Sequence, residues 1–422
     1  MKKEGDSKSM FEKYRPIGRM VEDGYRLRFA DRERTGETMQ LPAGLEASLF
    51  EGITEHRLIR KFRKAKPEFY LAVETLLKDE DFLSSKRVFV RENNFGLVPV
   101  LLALGHQHCL FLVSCWMIDK EEIVERNALM NLVDDRILFV VEGLKASMKR
   151  NYNASILVHE QHQNPDILVY EAAKALSPDT CSFLYLITHK NKGGVSITER
   201  ISRELGVSVS FVKRGIGGAR VAKFMKEGSI STPAIPGFEF DYCPRRGVKV
   251  KFQTVSSLFS SEGVDIGTDF LIKEVLSEID PQREISIYDL ACGYGAIGLS
   301  IAACLSRATV VMSDADARAV DIARLNVQVN NLDDRVSVEL ADGAKGISGN
   351  FDLVISNPPL HTERRKIIEI LTAANKLVIK GGKMLLVVED SRVEEIREIL
   401  KPRTGFVRVK AKTPSHSILE IL

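Results

Sequence analysis

Two short runs, about sixty residues apart, hold residue types whose spacing could do chemistry together. The later one, Ser356-Asn357-Pro358-Pro359-Leu360-His361, follows the apolar run Phe351-Asp352-Leu353-Val354-Ile355. The earlier one is Asp289-Leu290-Ala291-Cys292-Gly293-Tyr294-Gly295-Ala296-Ile297-Gly298. A strand that ends in a glycine turn lets the backbone approach a nucleotide-like cofactor, and Gly293 and Gly295, opened by Asp289, are spaced for that role. A strand that ends in Asn-Pro-Pro offers fixed acceptors to an NH2 group. An exocyclic amine is a poor nucleophile because its lone pair is delocalised into the ring. The Asn357 side-chain carbonyl and the Pro358 backbone carbonyl could each accept one N–H, favouring a pyramidal nitrogen. Together the runs read as S-adenosylmethionine-dependent methylation of an amino nitrogen.

Two more carboxylates complete that reading. Asp314, 21 residues beyond Gly293, ends the next apolar run, where a carboxylate can accept both ribose hydroxyls, with Asp316 as the alternative. Asp342 follows the third strand and either accepts from the adenine amine or caps a turn with Gly343.

The elements that must position these residues alternate along the second half. Strand Ile285–Leu290, helix 296–306, strand Thr309–Ser313 and helix 317–331 are followed by strands at 336–340 and 352–356. A helix at 364–377 and a strand at 383–388 complete the alternation, and two antiparallel strands close the chain. This pattern predicts a doubly wound α/β fold with a mixed seven-stranded sheet.

The chain also repeats itself at an offset of 199 residues. Asn131-Leu132-Val133-Asp134-Asp135-Arg136 answers Asn331-Leu332-Asp333-Asp334-Arg335 after one gap. Gly96 falls opposite Gly295, Val90 opposite Asp289 and Cys115 opposite Asp314. The first copy has no Asn-Pro-Pro, so it reads as degenerate, with Trp116 and Met117 filling a vacated pocket. The expected divisions are an extension at 1–84, a degenerate domain at 85–235 and a catalytic domain at 236–422. The proline-containing stretch Ser229–Gly237 marks the join.

These residues resemble the two-domain ribosomal RNA guanine-N2 methyltransferases of the small- and large-subunit type. The lead-in Phe259-Ser260-Ser261-Glu262-Gly263-Val264-Asp265-Ile266-Gly267-Thr268 matches the family pattern position by position. The resemblance implies two tandem Rossmann-like methyltransferase domains, the first degenerate. It implies cofactor contacts from Thr268, Asp289, Ala291, Gly293, Gly295, Asp314 and Asp342, and a catalytic run of Asn357, Pro358, Pro359 and His361. Ala291 stands where the family has Gly. Leu360 stands where it has the aromatic residue that stacks on the target base.

Composition, with 44% apolar, 28% charged and 7% aromatic over 422 residues, is that of an ordinary globular protein rather than a disordered or fibrous one. No apolar stretch approaches the roughly 18 residues of a membrane span, and the six cysteines show no C-x-x-C pair, so a cytoplasmic protein with reduced thiols is expected. His106, His108 and Cys109, or His159 and His162, complete no metal-ligand spacing. Residues 1–250 carry an excess of six positive charges, against an excess of three negative ones behind them. RNA, as ribosomal RNA or a ribosomal particle, is therefore the expected partner, with Arg60, Lys61, Arg63, Lys64, Lys213 and Arg214 as phosphate contacts. Two rivals remain: protein glutamine N5-methylation on a similar Asn-Pro-Pro loop, and a non-catalytic, cofactor-binding RNA or ribosome-assembly factor. The isolated catalytic half is expected to fold and bind cofactor by itself.

Overall fold

The apolar runs of the two halves become the central strands of two separate seven-stranded sheets. The computed structural model describes residues 27–30, 38–41, 67–92, 96–144, 151–160, 163–362, 364–404 and 406–422. A small antiparallel ribbon, β1 (Leu27–Ala30) and β2 (Thr38–Leu41), precedes both units.

The first sheet contains β3 (Arg87–Arg91), β4 (Leu110–Cys115), β5 (Ile137–Val141), β6 (Ala154–Val158), β7 (Phe183–His189), β8 (Ser208–Arg214) and β9 (Ala219–Met225). Its order is β5-β4-β3-β6-β7-β9-β8. Pairing is parallel up to β7 and antiparallel beyond it. Helices α1 (Pro67–Leu76) and α2 (Glu80–Leu83) bury Phe69, Tyr70, Leu76 and Phe82 in the same core. The first unit therefore begins upstream of residue 85, because an amphipathic helix there covers the sheet face. Asp79 ties it down, accepting from Lys223 Nζ at 2.8 Å and from the Tyr185 hydroxyl at 3.0 Å. Helices α3 (Leu97–Gly105), α4 (Glu121–Met130), α5 (Pro165–Leu176) and α6 (Gly194–Leu205) complete the layers.

Residues 226–236 carry no helix or strand, as the prolines predict. A hairpin follows, β10 (Gly237–Arg245) with β11 (Val248–Val255). Asn326 fastens it to the second unit, accepting from Gln253 N at 2.7 Å and donating to Gln253 O at 2.8 Å.

The second sheet runs through β12 (Ile285–Leu290), β13 (Ala308–Asp314), β14 (Val336–Leu340), β15 (Phe351–Ser356), β16 (Val378–Glu389), β17 (Val407–Lys412) and β18 (His416–Ile421). Its order, β14-β13-β12-β15-β16-β18-β17, repeats that of the first sheet strand for strand. Helices α7 (Ile266–Glu278), α8 (Ala296–Cys304), α9 (Ala317–Val329), α10 (Arg364–Asn375) and α11 (Val393–Thr404) cover it. One apolar cluster joins the units, since Leu144, Ile167 and Tyr170 of the first pack with the core of the second. Among the described residues, no helix is long and apolar enough to cross a membrane.

Candidate active site

Strands β12, β13 and β15 end on one side of the second sheet, and their following loops surround a cavity of ≈ 620 Å3. This is the crevice at the carboxyl ends of parallel strands where doubly wound folds bind ligands. Ala291, Gly293, Asp314, Asp342, Thr268, Asn357, Pro358, Pro359 and His361 all line it. The sequence readings of those nine positions therefore converge on one space.

Two of the expected cofactor contacts do not line it, Gly295 and Asp289. The Asp289 side chain is fully buried and turns to α8, where Oδ2 accepts from Gly298 N at 2.8 Å. That amide is one of the unsatisfied donors of the helix's first turn, so Asp289 caps α8 from the neighbouring strand. It shapes the glycine turn and does not reach into the cavity. Burial pushes its carboxyl up to about 7, with the Asp314 charge adding to the rise.

The turn itself is tight. Gly295 caps α8 at φ 93°, a conformation open to glycine, and Ala291 adopts φ 58° where a residue with Cβ is strained. At Gly293 a Cβ would meet nothing within 4 Å, leaving the space beside this backbone open for a ligand.

Asp314 holds the turn from β13, accepting from Gly293 N at 2.8 Å through Oδ2 and from Asp316 N at 2.9 Å through Oδ1. Burial raises its carboxyl to about 6. Asp316 is committed elsewhere: it caps α9 at Arg318 N and pairs with the Arg318 guanidinium at 2.6 Å. Of the two carboxylates, only Asp314 lines the cavity. Asp342 also lines it and is paired with Lys345 at 2.8 Å and with Lys366. Burial alone would raise its carboxyl, but hydrogen bonds from these two lysines hold it below the usual carboxylate range.

At the other end, Asp265 caps α7 by accepting from Gly267 N and Thr268 N, which fixes Thr268 in the first turn. The Thr268 hydroxyl then accepts from Asn357 Nδ2 at 3.1 Å. With the amide assigned this way round, the Asn357 carbonyl oxygen is left for an incoming donor. The Pro358 carbonyl already accepts from Leu360 N at 2.8 Å, so only its second lone pair is available to an amine.

Leu360 packs into the apolar cluster beneath the loop, 9% exposed, and its carbonyl accepts from Arg392 at 3.1 Å. It also lines the cavity, with an aliphatic side chain where a stacked base would need an aromatic ring. Phe259, 73% exposed, stands at the edge of the same cavity. Glu389 at the end of β16, Arg392 in the turn after it and His416 of β18, with Met117 and Asp119 from the first unit, also line it. No motif in the sequence singled out Glu389, Arg392, His416 or Asp119, and Met117, expected to fill the vacated pocket of the first copy, lines the cavity of the second unit instead.

Of the expected RNA contacts, Lys213 and Arg214 are exposed on the edge strand β8, while Arg60, Lys61, Arg63 and Lys64 lie outside the described residues. At the corresponding strand ends of the first copy there is a buried polar network. Arg91 pairs with Glu171 at 2.8 Å and donates to Ser114 at 2.8 Å, and Ser114 donates to Glu142 at 3.0 Å.

Residues 249–420 match the model of the family described as Methyltransferase small domain. The chain is 35% identical over 172 residues to ribosomal RNA small subunit methyltransferase C of Haemophilus influenzae strain Rd, a match covering 40% of this chain and 50% of that protein. The match thus spans half the length of that relative. An uncharacterized protein of Bacillus subtilis, YbxB, is 27% identical over 174 residues, covering 38% of this chain and 85% of its own. A T. thermophilus 16S rRNA N2 methyltransferase, solved in complex with AdoMet and guanosine, superimposes with TM-score 0.67 at 18% identity. That likeness of fold covers 93% of this chain and 97% of the other, which includes both units. Residues 249–420 are thus similar to the methyltransferase small domain, and across both units the chain shares the fold of the T. thermophilus protein.

Proposed function

We propose that the protein is an S-adenosylmethionine-dependent methyltransferase that modifies an exocyclic amine of ribosomal RNA, guanine N2 above all. Its second unit is then catalytic, and its first serves RNA binding and support. The observation that carries the reading is the Thr268–Asn357 hydrogen bond, which turns the Asn357 carbonyl toward the cavity it shares with Asp314 and Gly293. The cavity residues fit the cofactor: a carboxylate at the end of β13 for ribose hydroxyls, open space beside Gly293, and Asp342 beyond. When bound, S-adenosylmethionine supplies an electrophilic methyl group.

The protein's part is positioning. The Asn357 oxygen accepts one N–H of the target amine and draws its lone pair out of conjugation. The free lone pair of the Pro358 carbonyl accepts the second. Pro358 and Pro359 stiffen the loop, so the acceptors are set in place before the amine arrives, which is where rate is gained. A strong base is not required, because the amine proton leaves after the methyl has been transferred. Lys213 and Arg214 are offered as phosphate contacts. Similarity to the Haemophilus influenzae ribosomal RNA enzyme and the shared fold of the guanosine-bound T. thermophilus enzyme favour RNA over a glutamine side chain.

Labelled methyl transfer to naked ribosomal RNA, to small subunits and to a glutamine-containing peptide tests this directly. Label should enter RNA at guanine N2. Asn357→Ala should cut turnover by about 10²–10³, by analogy with loss of one oxyanion-hole donor, while leaving cofactor affinity within about twofold. Label appearing only in the peptide, or turnover of the variant within a few-fold of wild type, would overturn it.

A further inference from the structure

Where the two units meet, the contacts are duplicated. Met117 and Asp316, which are equivalent at the 199-residue offset, form an antiparallel bridge with each other. Ile118 N donates to Ala315 O at 3.0 Å, and Ala317 N donates to Trp116 O at 2.8 Å. Residues 118 and 317 are counterparts, and so are 116 and 315. Each bond is therefore the image of the other under a local two-fold, the self-complementary arrangement of a symmetric dimer fused into one chain.

The images differ in what they carry. Arg318 crosses into the first unit and lays its guanidinium 3.8 Å from the centre of the Trp116 ring. The counterpart of Arg318 is Asp119, which crosses the other way. With Met117 it lines the cavity of the second unit, beside Asp314 and Ala315. One reciprocal insertion thus fills the vacated copy, and the other builds a wall of the live one.

We infer that the cofactor site is composite: Met117 and Asp119 of the degenerate copy contact the adenosine half of S-adenosylmethionine and set its affinity. The argument rests on the proposed cofactor and on nothing else in that reading. Met117 and Asp119 stand on the Asp314 side of the cavity, the side read as the ribose site, whereas Asn357 and Thr268 stand on the side of the transferred methyl. The Asp119 carboxylate adds an acceptor next to Asp314, and the Met117 thioether adds a polarisable apolar surface. A degenerate copy that supplies part of the live pocket also accounts for its retained fold, since its strand order and the corner at 116–119 serve the site even without motif residues of its own.

The test uses the full chain, calorimetry with S-adenosylmethionine and S-adenosylhomocysteine, and the variants Asp119→Asn and Met117→Ala. Both ligands carry the same adenosine, so each variant should weaken both equally, by about fivefold or more. Trp116 is the sole tryptophan of the chain and sits in this interface, so its unchanged emission verifies that the interface is intact. If the variants open the interface, hydrogen exchange on wild type decides: cofactor should slow exchange at residues 117–119, and lack of protection sinks the inference. Affinities within twofold of wild type in both variants would overturn it, as would weakening of the sulfonium ligand alone. Failure of wild type to bind S-adenosylmethionine at all would instead remove the proposed function.

Discussion

Under the proposed function, Asp314 is the residue on which cofactor affinity and pH meet. Its folded pKa, about 6, stands above the ordinary carboxylate value because burial disfavours the charge. A raised carboxyl stabilises the fold fully below about pH 4, and that contribution is lost as pH rises through 6. Asp289, pushed to about 7, acts in the same direction. Ligand hydroxyls that donate to Asp314 favour its ionised form, so binding must strengthen over the window in which folding loses this contribution. Cofactor affinity is expected to be about tenfold weaker at pH 5 than at pH 7.5, the ratio of ionised Asp314 at the two values. Asp314→Asn should lower affinity at neutral pH by roughly 1.5–3 kcal/mol and flatten the profile. Calorimetry at both pH values checks this, and equal affinities for wild type would refute the assigned role.

At the scale of elements, the loop after β15 is fixed from both sides. Thr268 of α7 holds Asn357, and Arg392, just before α11, donates to the Leu360 carbonyl while pairing with Glu395 at 2.6 Å. Arg392→Ala should leave cofactor affinity unchanged but lower kcat by about tenfold, because the acceptors on the loop lose their set geometry. A fall in cofactor affinity with kcat intact would contradict this. The strands and helices of this half were legible because each has a single dominant periodicity. Helices 317–331 and 364–377 ended within two residues of the observed ends, at Val329 and Asn375. Gly293, Asp314, Asp342 and the Asn357-Pro358-Pro359 run were legible because chemistry restricts which types can follow a strand, whereas Thr268, Ala291 and His361 were reached through the family resemblance. The direction of a side chain was not: Asp289 stands at the right place in the chain but faces the α8 amides, and spacing does not distinguish the two faces of a strand end. His416, Glu389 and Arg392 escaped notice because β18, the end of β16 and the turn after it carry no motif, and only the pairing of β16 with β18 brings His416 to the cavity.

At the scale of the whole molecule, the offset of 199 residues revealed two copies but not that they face each other. Contact between units is a property of surfaces, and the residues that make it carry no motif. Gly143 shows how close the approach is: a Cβ there would lie 2.6 Å from the Ala317 carbonyl oxygen. Leu144, Ile167 and Tyr170 of the first unit are buried in the apolar cluster of the second. These contacts bear on the expectation that residues 236–422 fold and bind cofactor by themselves. Removing the first unit strips cover from that cluster, where each large side chain returned to water costs about 1.5–3 kcal/mol, a sizeable part of a domain's marginal stability. It also removes Met117 and Asp119 from the cavity. The isolated segment is expected to unfold at a lower denaturant midpoint than the full chain and to bind S-adenosylmethionine at least about tenfold more weakly. Chemical denaturation and calorimetry on the segment measure both. Full stability with undiminished affinity would mean that the two units share a surface but no function, and that the first copy acts, if at all, only on RNA.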